Sequence, residues 1–367
     1  MRLWTDPPHR SPRPTRTFVS LTGPPSNIGD ALIRRAQLEW ARGTSDELVV
    51  YVGDAPDAWL AQVGAPEDAT VLRSKQSVRR WLWMLATSPR RPVLVFEAGE
   101  VPLDRGNTLR ELVFLAETLM VRLKRGVVVR PPRGIRAPTN PAVWLHARAA
   151  QLSQFALWRD AASARTVGGN RIVPDIGFAA GVRPGNPWED RDELIVSLRG
   201  TRPHPGTVWI DAIRTTAEAE GLRIRTVVQV REDEERARKL AEQLGGVFEA
   251  WGDTDAVVQE EQLRERYAGA RLVISDRMHV LILAALSGAV PVELVPHPTR
   301  KIAEAFATVG LRDISVDAAS HDANSMVGLL RTQLGRAAEV RLRVRQAEQR
   351  LAATEAEVRA TIKAARA

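Results

Sequence analysis

The segment RLVISDRMHVLILAALSGAVPVEL, residues 271–294, decides how this chain folds. A β-branched and apolar run leads to Ser275-Asp276 and reads as a buried strand. From Val280 to Leu286 no polar residue occurs, so the following helix is apolar on every side and belongs inside the protein. Gly288 breaks it, and PVELVP (291–296) is a second buried strand. Strand, crossover helix and strand in so short a span make a parallel unit, and its first turn carries Arg277 and His279.

The same alternation extends in both directions. ELIVSLRG (193–200), RIRTVVQV (223–230) and GVFEAW (246–251) read as strands, divided by the helices 206–221 and 232–245. Before them, TFVSLTG (17–23), LVVYVG (48–53), PVLVFEAG (92–99), GVVVRP (126–131) and FALWRD (155–160) alternate with the helical segments 29–43, 107–126 and 140–152. Gly43 and Gly126 follow two of these helices as expected C-caps. The Gly- and Pro-rich stretch from Gly177 to Asp192 is the linker between two α/β units. The chain therefore divides into a flexible lead-in (1–16), two Rossmann-like α/β domains facing across a cleft (17–180 and 190–320), and a helical tail (321–367). Within that tail Val340, Val344, Ala347, Leu351 and Val358 form an apolar stripe that either packs on the body or pairs with a second copy as a homo-oligomer.

A chain of 367 residues, 44% hydrophobic and 26% charged, has ample core for two domains. The absence of cysteine excludes disulfides, thiol nucleophiles, thiolate metal sites and iron–sulfur clusters. The first residues carry no apolar leader run, which makes the cytoplasm the expected compartment. The net charge of +8 is unevenly placed: residues 71–150 hold 15 Lys plus Arg against 5 Asp plus Glu, and no acid stands between Glu117 and Asp160. Such an excess marks either an anion-binding surface or a solvated basic face.

Ligands of parallel sheets bind beyond the carboxyl ends of the strands, so the strand-to-helix turns hold the candidate residues. In LTGPPSNIGDALI, Asn27 and Asp30 can bond a ligand hydroxyl or simply cap the helix. Arg159 ends an apolar strand, where a charge is costly unless it has a partner; a plain ion pair with Asp160 is the alternative to a ligand. Arg199 holds the matching position in the second domain and suits bidentate contact with a carboxylate or phosphate. His279 stands at the N-terminus of a buried helix, a place that favours a bound anion, and Lys301 opens the next helix on the same side. Glu97 and Glu100 form an acidic pair around Gly99 at the end of another strand.

Taken in order, SNIGDALI, PPRGIRAP (131–138), LWRDAAS (157–163), VPDIGF (173–178), IVSLRG and SDRMHVLILAALSGAVPV resemble the polysaccharide pyruvyltransferases over roughly residues 17–311. That resemblance implies a fold similar to the GT-B glycosyltransferases and a reaction in which phosphoenolpyruvate gives its enolpyruvyl group to two hydroxyls of a saccharide, forming a ketal. It implies no resident cofactor or metal, phosphoenolpyruvate as co-substrate, donor contacts from Arg159, Arg277, Met278, Lys301 and Arg199, and His279 as the acid that protonates the donor's methylene carbon. The acceptor would be a polysaccharide or a lipid-linked saccharide, and Glu97 and Glu100, where this chain departs from the family's Gly-rich turn, are expected to face it.

Two other readings compete. A glycosyltransferase using a nucleotide sugar would have the same architecture, and a basic anion- or nucleic-acid-binding protein would use the same charge. The second lacks any nucleic-acid module, so no nucleic acid is expected as partner. The segment KQSVRRWLWMLATSPRR (75–91) reads as an interfacial helix that brings the protein to the inner face of the membrane, or as a helix whose tryptophans are core.

Overall fold

The computed structural model describes residues 15–366 apart from 90 and 184. Most of the expected flexible lead-in, 1–16, lies outside the described residues; Thr15 and Arg16 are already tied to the first sheet through Asp46 and Glu47.

The N-terminal domain contains β1 (Arg16–Ser20), α1 (Ile28–Ala41), β2 (Glu47–Gly53), α2 (Asp57–Val63), β3 (Thr70–Arg73), α3 (Val78–Thr87), β4 (Val93–Val95) and β5 (Gly99–Pro102). It continues with α4 (Thr108–Leu123), β6 (Val127–Arg136), α5 (Ala142–Leu152), β7 (Phe155–Trp158) and α6 (Ala161–Thr166). Its strands are all parallel in the order β3-β2-β1-β4-β6-β5, with β7 also on β6. The segment 92–99, expected as one strand, is divided: β4 stops at Val95, and Gly99 starts a separate strand with a positive φ of 86°. The helix ending at Leu123 is followed by a left-handed residue at Arg125 rather than at Gly126, which stays tight because Pro92 O lies 2.2 Å from where a Cβ would stand.

The C-terminal domain contains β8 (Glu193–Ser197), α7 (Thr207–Glu220), β9 (Arg223–Thr226), α8 (Glu234–Leu244), β10 (Val247–Phe248), α9 (Ala256–Gly269) and β11 (Ala270–Ser275). After these come α10 (Met278–Leu286), β12 (Val290–Val295), α11 (Arg300–Thr308) and β13 (Ser315–Asp317). The parallel order β10-β9-β8-β11-β12-β13 reverses direction between β8 and β11, which opens a crevice at their carboxyl ends. Residues 271–294 form the expected strand, helix and strand at the centre of this sheet. Val280, Leu281, Ile282, Leu283 and Leu286 of α10 are fully buried, each contributing roughly 1.5–3 kcal/mol by leaving water. That burial fixes the position of the turn before them.

The tail is α12 (Ala323–Leu334) and α13 (Ala337–Arg366). The stripe Val340, Val344, Ala347, Leu351 and Val358 is buried within this chain, so it is not available to a second copy. Near its end, α13 reaches the first domain, where Arg359 donates to Arg42 O and Arg366 to Thr17 Oγ1. The linker is no loose strap: Gly177 and Phe178 are buried, and Phe178 stacks edge-on against Phe306.

Candidate functional site

The β1–α1 turn crosses to the second domain. Asn27 forms an antiparallel bridge with Val230, and Ser26 Oγ donates to Glu232. This turn and the carboxyl ends of β8 and β11 enclose a cleft cavity of about 340 Å³. Nine of the ten residues singled out from the sequence line it: Asn27, Asp30, Glu100, Arg159, Arg199, Arg277, Met278, His279 and Lys301. With Arg34 and Arg136 the lining carries six Lys or Arg against two carboxylates, Asp30 and Glu100.

Each cation is held from behind. Arg159, buried, donates to Asp175 Oδ2 at 3.2 Å and Glu100 Oε2 at 3.3 Å, while Asp160, its expected partner, stands farther off at 3.8 Å. Asp160 caps α6 by accepting from Ser163 N. Arg277 pairs with buried Asp233, and the Arg199 guanidinium stands 3.8 Å from Asp276 Oδ2, whose Oδ1 accepts from the Arg199 backbone N at 2.9 Å. Ser275 Oγ accepts from Arg277 N at 3.0 Å and so sets the start of α10. The first-turn amides of Met278, His279 and Val280 have no intrahelical acceptor and face a negative ligand favourably.

His279 lies beside Asp175, Nε2 to Oδ1 at 3.7 Å, longer than a hydrogen bond. Burial alone would raise the Asp175 carboxyl, but His279, Arg159 and the Gly177 amide together hold it well below the usual carboxylate range. Glu100 is also lowered: burial opposes this, and Lys301 at 2.5 Å with Arg159 and Arg136 outweighs it. Desolvation and nearby Arg159 lower Lys301, and desolvation lowers Arg199.

Two expectations are corrected by this arrangement. Glu97 does not line the cavity; Ser20 Oγ donates to it at 2.6 Å and Thr22 Oγ1 at 2.5 Å, with Arg34 at 3.9 Å. Glu100 lies in the cleft but is engaged by three cations, so it balances charge there instead of presenting a free carboxylate to a sugar. Asn27 caps α1, its Oδ1 accepting from Gly29 N, while it also lines the cleft with Nδ2 donating to Asp30.

Sequence reasoning missed Asp175, which lies between Arg159 and His279, and Gln229, whose buried side chain lines the cleft. Gln229 bore the signal that marked Arg159, a polar residue within an apolar run at a strand end. Arg159 Nε, Arg199 Nε, Gln229 Nε2 and His279 Nε2 are buried without a protein hydrogen-bond partner among the described residues. Three of them stand near a carboxylate without bonding it: Arg159 Nε is 3.8 Å from Asp160, Arg199 Nε 3.8 Å from Asp276 and His279 Nε2 3.7 Å from Asp175. Beside the cleft, an apolar slot of about 290 Å³ lies between Leu198, Pro203, Pro205, Val295 and Pro296; Arg199 lines both spaces.

No protein-family model matches the chain. No curated protein matches it either. Solved structures do. The Anabaena protein HepE in complex with UDP is 13% identical, covering 95% of this chain and 100% of its own with a TM-score of 0.58. The UDP-GlcNAc 2-epimerase of Neisseria meningitidis bound to UDP-GlcNAc is 11% identical over 90% of this chain and 94% of its own, TM-score 0.52. MnaA of S. aureus with UDP is 13% identical over 91% of both chains, TM-score 0.50. At these identities the likeness is one of fold, and it identifies the chain as two parallel α/β domains of the GT-B type. The resemblance to the polysaccharide pyruvyltransferases is overturned: no family model supports it, and these structural neighbours are a UDP-GlcNAc 2-epimerase, HepE and MnaA, not pyruvyltransferases.

Proposed function

We propose that this chain is a sugar-transferring enzyme whose donor is a sugar carried on a nucleoside diphosphate and whose acceptor is a saccharide. The observation that carries this reading is the position of Arg199, which lines both the cationic cleft and the apolar slot. A nucleoside diphosphate has a flat, weakly polar end and a doubly charged end, and it needs two adjoining spaces of these kinds. The slot between Pro203, Pro205 and Pro296 suits the base, and Arg199, Arg277, Lys301 and the start of α10 suit the diphosphate. Structural neighbours with UDP or UDP-GlcNAc bound are consistent with such a donor.

The chemistry follows from the residues facing each other. Asn27 and Asp30 hold sugar hydroxyls on the first-domain side. His279, packed against the backbone of α1 at Gly29, accepts the proton of the acceptor hydroxyl as its oxygen attacks the anomeric carbon. The bond from that carbon to the phosphate oxygen breaks, and the electron pair passes to the departing diphosphate. The cleft cations stabilise the charge that grows there. The test is release of nucleoside diphosphate from UDP-, GDP- and ADP-hexoses with a panel of saccharides. Release with one pairing, lost about 100-fold or more in His279→Gln with donor binding retained, is expected. Absence of release from every nucleotide sugar, together with absence of binding, overturns the reading.

A further inference from the structure

The outer face of the first domain is built in reverse of an ordinary surface helix. On α4 the exposed apolar positions are Leu109, Leu112, Ala116, Leu119 and Leu123, spaced alternately three and four residues apart, so they form one stripe. Leu109 is 72% and Leu123 84% exposed. Both carboxylates of the same helix point inward: Glu111 meets His146 Nδ1 at 2.7 Å, and Glu117 accepts from Trp81 Nε1 at 2.9 Å. Neighbouring helices extend the patch, α3 with Trp83 (64% exposed) and α5 with Trp144 (54%) and Leu152. Trp81, by contrast, is core, so the segment 75–91 divides into an inner indole and an outer one.

Charge selects the occupant. No exposed carboxylate lies on α3, α4 or α5, and Arg79, Arg80, Arg105, Arg122, Arg125 and Arg148 have no carboxylate partner among the described residues. A second copy docked by a two-fold axis would set this cationic face against itself. An anionic bilayer neutralises it, takes the leucines and indoles at the acyl boundary and leaves the guanidinium groups among the headgroups. We propose that the outer face of α3, α4 and α5 docks on an anionic lipid surface. No helix among the described residues is long and apolar enough to cross a membrane, so the contact is peripheral.

The experiment is flotation of the full chain with vesicles of phosphatidylcholine alone or mixed with phosphatidylglycerol. Binding to the mixed vesicles only is expected. Arg122→Ser/Arg125→Ser/Arg148→Ser loses on the order of 100-fold in partitioning, and Leu119→Glu/Leu123→Glu loses a comparable amount. All five positions are exposed, so the melting temperature of both variants stays near that of the parent. Failure to bind phosphatidylglycerol vesicles, or unchanged binding by both folded variants, overturns the proposal. Light scattering that reports a dimer abolished by the leucine variant overturns it in favour of a second copy.

Discussion

Gly29 and His279 come from opposite domains and touch: a Cβ at position 29 would stand 2.7 Å from His279 Nδ1 and 2.8 Å from its Cβ. The backbone of α1 is thus the wall against which the imidazole rests. Alanine at a helical position ordinarily gains about 1 kcal/mol over glycine. Gly29→Ala is nevertheless expected to lower kcat about tenfold or more by displacing His279, with donor affinity changed less than threefold; steady-state kinetics check this. Unchanged kcat would separate His279 from the chemistry.

Gly134 does the same for Arg159, whose Nε lies 2.4 Å from where a Cβ would be. Gly134→Ala must push the guanidinium away from Asp175 and Glu100. A loss of roughly 2–4 kcal/mol in denaturant unfolding is expected, because buried charges lose their partners.

Asp175 gives the protein an acid limb. Its carboxyl is held below its ordinary value, so the stability it contributes is fully present above pH ~4 and falls away as pH drops toward the folded value. Asp175→Asn should be less stable at neutral pH by roughly 3–5 kcal/mol and show a flatter decline below pH ~4, measured by unfolding at a series of pH values.

Glu293 has the opposite sign. Buried on β12 with only Ser315 Oγ donating to it, its carboxyl is pushed up to about 7 by desolvation. Between pH ~4.5 and 7 the unfolded chain releases this proton and the folded one keeps it, so stability falls as pH rises through that window. Glu293→Gln should remove the slope and be more stable at pH ~8 by roughly 2–3 kcal/mol.

The architecture was legible because residues 271–294 admit one reading: an unbroken apolar helix can only be buried, and burial of α10 fixes Arg277 and His279 at a strand end. Arg159 and Arg199 were legible as charges closing apolar runs. Asp175 was not, because its meaning depends on two partners, Arg159 and His279, brought to it by different domains. Glu97 was misread for the same reason, since Ser20, Thr22 and Arg34 surround it only in the fold. The family was misread because a cluster of arginines at strand ends accommodates any compact phosphate ester. Under the proposed reading, what distinguishes one ester from another is the apolar slot beside Arg199, which Leu198, Pro203 and Pro205 after β8 build together with Val295 and Pro296 at the end of β12.

The most direct measurement is calorimetric titration of the protein with a nucleoside diphosphate, with pyrophosphate and with the nucleoside alone, repeated on Arg199→Ala. The diphosphate should bind far more tightly than either fragment, and Arg199→Ala should weaken it on the order of 10- to 100-fold while leaving the nucleoside little changed. Pyrophosphate binding as tightly as the nucleoside diphosphate, or an Arg199→Ala variant of unchanged affinity, would contradict a nucleotide-sugar donor in this cleft.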